Sequence, residues 1–212
     1  MKRKLVALMA LLAGLSLAQT TPDNTQSHTI TVKVVPVLRL HLDATNYLFD
    51  FDDPTTSGSV LGFPKASRAA YGAFLDDESK TTQLFAPTSI GGSSNDYGTL
   101  RINTNQAQWT VKIKGITGNL DAPLANSRVK VHAVGNPGSK GSSQTGTPGS
   151  TSLEANTAII QATSNGQGRS VYQLYYFLEM DINDAFPSAP DPDDPAYTYV
   201  STITVELALT TP

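Results

Sequence analysis

The sequence predicts an all-β fold: an antiparallel β-sandwich of Greek-key type, with seven to nine strands, long loops and at most one short helix. Two observations support this prediction. Apolar and polar residues alternate with a period of two in most apolar segments, as expected of strands that bury one face. Helical periodicity is confined to residues 64–75, where alanines recur but Gly72 weakens the helix.

The alternation is clearest at the two ends of the chain. Near the start, Ile30, Val32 and Val34 alternate with polar residues, and a second alternating run covers residues 38–42. A long closing strand is predicted over residues 199–209.

Shorter strands are predicted between these ends, around residues 47–51, 100–102, 109–113 and 129–131. Residues 171–180 are apolar on both faces, which is typical of a central strand that is covered on both sides. Residues 135–152 are almost entirely Gly, Ser, Thr, Pro and Gln, and we expect an exposed, mobile loop there rather than an interdomain linker.

The first 18 residues have the pattern of a cleavable signal peptide. Positive charges at residues 2–4 precede an apolar run at 5–15, which is shorter than the roughly 20 residues of a membrane span. Ser16 and Ala18 fit a cleavage site before Gln19. We therefore expect a signal peptide (1–18), a flexible tail (19–28) and a single β-sandwich domain (29–212), secreted, periplasmic or at the cell surface. The alternative is an uncleaved N-terminal anchor.

Charge and composition narrow the classes of partner. Cleavage would leave 12 Lys and Arg against 18 Asp and Glu, a net charge of −6. No basic residues cluster in the sequence that cleavage would leave, so neither nucleic acid nor an anionic membrane surface is an expected partner. No integral membrane segment is expected after cleavage. The chain has no cysteine, which leaves out disulfides, thiol catalysis and thiolate metal sites.

Two loops share an Asp-x-Asp-Asp-Pro pattern that suggests calcium ligands. Hard cations need several oxygen ligands that converge on one point, and acidic loops can supply them. The alternative is that these are solvated turns, since Asp before Pro is ordinary turn chemistry. No other cofactor is expected. The candidate ligands are Asp50, Asp52, Asp53, Asp191, Asp193 and Asp194.

Catalytic motifs are lacking, and we do not expect an enzyme. The three histidines have no zinc-ligand spacing, and neither a nucleophile elbow nor a phosphate-binding glycine loop occurs. Glu179 and Asp181 share one strand face about 6 to 7 Å apart, which keeps a glycoside hydrolase as a third alternative. Trp109 shares a face with Val111 and Ile113, which favours a core position over a platform for sugar rings.

The segments 100–105 (Leu-Arg-Ile-Asn-Thr-Asn) and 108–113 (Gln-Trp-Thr-Val-Lys-Ile), with the closing segment 199–205, resemble secreted cell-surface β-sandwich proteins of the WxL-like kind and fibre-forming envelope proteins. This resemblance implies an exported, β-rich, extracellular protein without catalytic activity.

The sequence therefore predicts an exported structural or adhesive protein of the cell envelope, whose partners are other envelope proteins, polysaccharide or itself. It either acts as a monomeric sandwich or forms filaments by donating residues 29–35 to the sheet of a neighbour. The competing interpretation of residues 29–35 is a strand that pairs within its own sheet. A carbohydrate-binding module is the alternative function.

Overall fold

The computed structural model describes residues 29–186 and 199–212, in a chain that divides into two units, Met1–Val35 and Pro36–Pro212. The second unit contains thirteen described strands, and the eight with four or more residues agree with the seven to nine predicted. The elements in chain order are β1 (Leu38–Leu42), β2 (Asn46–Leu48), β3 (Ser59–Val60), β4 (Phe63–Pro64), α1 (Arg68–Leu75), β5 (Thr82–Phe85), β6 (Ser89–Gly91), β7 (Gly98–Thr104), β8 (Trp109–Thr117), a 3-10 turn (Asn126–Arg128), β9 (Val129–Gly135), β10 (Ser142–Ser143), β11 (Ala158–Ala162), β12 (Gly168–Asp181) and β13 (Thr204–Thr210).

The strands form two main antiparallel sheets. In the first, β12 is central: it pairs with β7 over residues 168–174, with β9 over 172–178 and with β5 over 178–181. Because residues 172–174 pair with both β7 and β9, these two strands flank β12 on opposite sides, and β1 lies beyond β7. The second sheet has the order β10-β11-β8-β13. Two small sheets, β2-β6 and β3-β4, complete the described strands.

The two main sheets enclose one apolar core, which confirms the predicted sandwich. The first sheet contributes Leu100, Ile102 and Leu174, and the second contributes Val111 and Ile160. Chain segments cross between the sheets, so most neighbouring strands are distant in sequence.

The central-strand prediction for residues 171–180 is also confirmed. Tyr172 and Tyr176 of β12 face the main core, whereas Tyr175 and Phe177 belong to a second cluster that Phe63 packs against. The predicted helix is present as α1, which Ser67 caps by accepting a hydrogen bond from the backbone N–H of Ala70.

Residues 29–35 do not fit the interpretation that they form a strand of their own sheet. The structure assigns no strand before Leu38 in the described part of the chain, and Ile30, Val32 and Val34 are 73–77% exposed. An alternating pattern indicates that one face of a segment is apolar and suited to burial. It does not specify the sheet against which that face is buried. The closing strand is also shorter than predicted, since β13 begins at Thr204 rather than at residue 199.

Residues 135–152 are not simply an exposed loop. Part of this segment packs against β9 by hydrogen bonds rather than by apolar contact, and Ser142–Ser143 form β10. Thr145 is fully buried, and its Oγ1 accepts the backbone N–H of Ala133 at 3.0 Å. The mobility of the remainder stays a prediction.

Several predictions lie outside the described residues: the signal peptide (1–18), the tail (19–28), and Asp191, Asp193 and Asp194. Within the ranges 29–186 and 199–212, no helix is long and apolar enough to cross a membrane.

The hydroxyl of Thr145 supports a stability prediction. Besides the Ala133 N–H, it contacts the Ser143 hydroxyl at 2.9 Å and the His132 imidazole at 3.2 Å. We expect Thr145→Val to lower the free energy of unfolding by about 1–3 kcal/mol, because buried polar groups lose their partner. The control Thr145→Ser keeps the hydroxyl and should cost at most about 1 kcal/mol. Urea titration would contradict this role if the valine variant were as stable as the wild type.

Burial lowers the pKa of His132, which supports a prediction about pH. Below the ordinary histidine pKa of about 6.5, the imidazole of His132 is protonated in the unfolded chain but stays neutral to lower pH in the folded protein. The free energy of unfolding should therefore fall as the pH is lowered from 7.5 to 5.5, and His132→Gln should remove much of this dependence. His41→Gln, at an exposed position, is the control and should retain it. An unchanged pH profile for the His132 variant would contradict the prediction.

Candidate functional site

One side of the sandwich is bounded by two edge strands, β1 of the first sheet and β13 of the second, which contact each other. Among the described strands, each has a partner on one side only. Both place apolar side chains against the main core. We call the following set the open side: Leu40, Leu42, Val205, Leu207 and Leu209.

Burial decreases sharply toward the open side. Leu40 pairs with Ile102, and Leu207 pairs with Ile113. Ile102 and Ile113 are 1% and 0% exposed, whereas both leucines are only partly buried. The leucines of β1 and β13 that pack on the core are therefore less buried than their cross-strand partners.

The opposite side of the sandwich is covered. There β9 contacts β10 and β11, and core residues of these strands, such as Val131 and Ile160, are fully buried. The segment that contains Thr145 closes this side, as described above. Among the described residues, the apolar side chains of β1 and β13 are thus less buried than those of β9 and β11 on the opposite side.

Residues 29–35, at the end of the first unit, also carry exposed apolar side chains. Ile30, Val32 and Val34 occur at every second position, so in an extended conformation they lie on one face. Seven residues at about 3.3 Å each span roughly 23 Å, the length of a seven-residue strand such as β13. The segment contains no proline, so none of its residues lacks the backbone N–H group that a ladder requires.

The first acidic loop has the geometry of a turn. Asp53 accepts hydrogen bonds from the side chains and backbone of Thr56 and Thr55, which hold the pKa of its carboxyl well below the usual range. Asp50 accepts the Asp52 N–H at 2.9 Å, and Asp52 forms an ion pair with Arg68.

The carboxylates of Asp50, Asp52 and Asp53, which are the predicted calcium ligands of this loop, are thus all engaged in contacts within the protein. Within the described ranges, no group of three or more His, Cys, Asp or Glu residues could hold a metal ion. Since the second acidic loop lies outside those ranges, calcium binding stays a prediction.

Trp109 is a core residue, so its alternative role as a sugar platform is wrong. Its side chain is fully buried, and its indole N–H donates to the carbonyl oxygen of Gly166 at 2.8 Å. A Cβ at Gly166 would lie 2.4 Å from that indole nitrogen, which explains the glycine at this close approach. Tyr172 and Tyr176 are buried as well, which agrees with a packing role.

Glu179 and Asp181 are both engaged in structural contacts. The Glu179 carboxylate lies 3.6 Å from Arg128 and 3.8 Å from Lys130. Asp181 accepts hydrogen bonds from the backbone and side chain of Asn183, which lower the pKa of its carboxyl and keep it ionised at neutral pH. Asp181 therefore lacks the protonated state that a general acid needs.

No family model, curated protein or solved structure matches this chain. Its own geometry is thus the basis for assigning a function, and that geometry defines a β-sandwich with one open side. The alternating pattern of the sequence predicts β1 and the closing strand but not their position at the edges of the sheets. The alternation of each strand specifies a buried face, whereas edge position depends on pairing between distant segments.

The open side supports a prediction from one cross-strand pair. Ile113→Ala should lower the free energy of unfolding by about 2–5 kcal/mol, as for a fully buried side chain. Its partner Leu207 is already partly exposed in the isolated protein, so Leu207→Ala should cost only about 1 kcal/mol. Urea unfolding of both variants under monomeric conditions tests this. Equal losses would show that the open side is covered.

Proposed function

We propose that this protein is an exported, non-catalytic structural or adhesive component of the cell envelope or the extracellular surface, and that it assembles by strand addition. In this proposal, residues 29–35 of one copy extend the sheet at the open side of the next copy. The observation that carries it is the exposed apolar face of Ile30, Val32 and Val34, in a chain whose edge strands β1 and β13 carry apolar side chains that are only partly buried.

Strand addition would bury the apolar face of residues 29–35 and the open side in the same contact. The backbone of the added segment would form a ladder with β1 or β13, each of which has one described neighbour. Its alternating side chains would cover the partly exposed leucines and Val205 of the open side. Soluble monomers ordinarily protect flat apolar edges with charges, prolines or covering loops, because such edges promote association.

The geometry of such a contact favours filaments over closed dimers. The donor is the segment before β1, and the acceptor is a surface formed by β1 and β13, so the two contacting surfaces differ. A contact of this kind is head to tail and adds copies in one direction unless the rotation happens to close. The polar residues 19–28 would connect the donor to the cleaved N-terminus.

Export is the part of the proposal that the sequence supports. Residues 2–4 are basic, residues 5–15 are apolar and residues 16–18 fit a cleavage site. The absence of cysteine leaves the folded protein dependent on its core for stability.

Substitution of the donor face tests the assembly. In protein that starts at Gln19, we expect the triple change Ile30→Ser, Val32→Ser and Val34→Ser to abolish oligomers, because the added strand loses its apolar face. The matched control replaces the opposite face of the same segment: Thr29→Ser, Thr31→Ser and Lys33→Ser should still assemble. Size-exclusion chromatography with light scattering and negative-stain imaging provide the measurement.

A shortened protein that starts at Pro36 supplies the second arm. It keeps the acceptor and lacks the donor, so it should stay monomeric and should shorten the assemblies of the full mature chain when mixed with it. Strand addition would be refuted if the full mature chain remained monomeric at every concentration tested. Assembly of the apolar-face variant at wild-type levels would refute it equally.

A further inference from the structure

A pocket of about 550 Å³ lies on the outer face of the first sheet, where β1, β7 and β12 run side by side. Its polar lining comprises Arg39 of β1, Arg101 and Asn103 of β7, and Arg169 and Ser170 of β12. We call it the arginine pocket. All of its lining residues belong to the second unit of the chain.

Strand register brings these side chains together. Asn103 is directly opposite Arg39 on one side and Arg169 on the other, so the three form one row across the sheet. With neighbouring strands about 4.8 Å apart, the backbones of the two arginines in this row lie roughly 10 Å apart. Arg101 is two residues from Asn103 on the same strand and thus on the same face, about 7 Å away. Three guanidinium-bearing residues therefore surround one amide.

These arginines differ from the others in the described ranges. Arg68 pairs with Asp52, and Arg128 pairs with Glu179 and Asp184. Among the described residues, no carboxylate forms a salt bridge with Arg39, Arg101 or Arg169.

The carboxylate of Asp43 interacts electrostatically with Arg101 without forming a salt bridge to it. This carboxylate instead accepts a hydrogen bond from the backbone N–H of Thr99. Three like charges thus line one pocket in a protein with a net charge of −3, and a bound anion would relieve their mutual repulsion.

We propose that the arginine pocket binds a compact oxyanion ligand that carries two or more negative charges, of the carboxylate or phosphate class. The guanidinium group presents N–H donors in a planar fork that fits both anions with two parallel hydrogen bonds. The amide of Asn103 adds a neutral donor at the centre. A compact ligand is favoured over a long polyanion because the protein as a whole carries a net negative charge, which opposes any polyanion that extends beyond the pocket.

Calorimetric titration with two probes tests the site: citrate as a tricarboxylate and pyrophosphate as a phosphate ligand. The protein is the full mature chain, measured at low ionic strength, where surface electrostatics are least screened. We expect at least one probe to bind, and Arg101→Gln to weaken that binding by about tenfold or more, the scale of one charge-assisted hydrogen bond. Arg101→Lys keeps the charge but loses the fork, and it should also weaken binding.

The matched control is Arg68→Gln, which changes the net charge by the same amount outside the pocket and should alter the affinity less than about twofold. Failure of both probes to bind at millimolar concentration would overturn the proposal, as would an equal loss of affinity in the control. Much tighter binding of a sulfated polysaccharide or of single-stranded DNA than of either probe would overturn the assignment to a compact ligand.

The same titration on the triple variant Ile30→Ser, Val32→Ser and Val34→Ser separates this site from assembly. The arginine pocket does not depend on strand addition, so the probe should bind that variant as it binds the wild type. Loss of probe binding in that variant, with the arginines intact, would overturn the location of the site.

Discussion

The structure depends on one constraint: a sandwich of two open sheets has two sides at which the core and the strand ladders end. Each side must be covered by something, because uncovered apolar side chains and unpaired strand edges promote association. In this protein the side formed by β9, β10 and β11 is covered from within the chain. Thr145 closes it by accepting a buried backbone N–H from β9, so a segment almost without apolar residues suffices there.

The side formed by β1 and β13 is different, and the proposed assembly follows from that difference. A polar loop can cap backbone groups, but it cannot replace the apolar contacts that Leu40, Leu207 and Leu209 lack. Cover for this side has to be apolar and extended. In an extended conformation, residues 29–35 would present such an apolar face, which is exposed in this chain. One contact between copies would then remove two unfavourable surfaces.

The arginine pocket lies on the outer face of the first sheet, away from the core. Assembly by strand addition would engage the edge of a sheet, through backbone groups and inward-facing side chains, whereas the pocket is formed by outward-facing side chains of β1, β7 and β12. Because successive side chains of a strand point to opposite faces, β1 carries Leu40 toward the core and Arg39 toward solvent. The two proposed functions are therefore compatible in one molecule.

The sequence by itself determined the fold class, the faces of most strands, the short helix and the core preference of Trp109, because period-two and period-3.6 patterns are local properties of the chain. Only the tertiary structure decided which strands are edges, that Thr145 is buried, and that Ile30, Val32 and Val34 stay exposed. It also brought Arg39, Arg101 and Arg169 into one pocket, although they are far apart in sequence. Alternation specifies which face of a strand is buried, but neighbour and register result from pairing between distant segments.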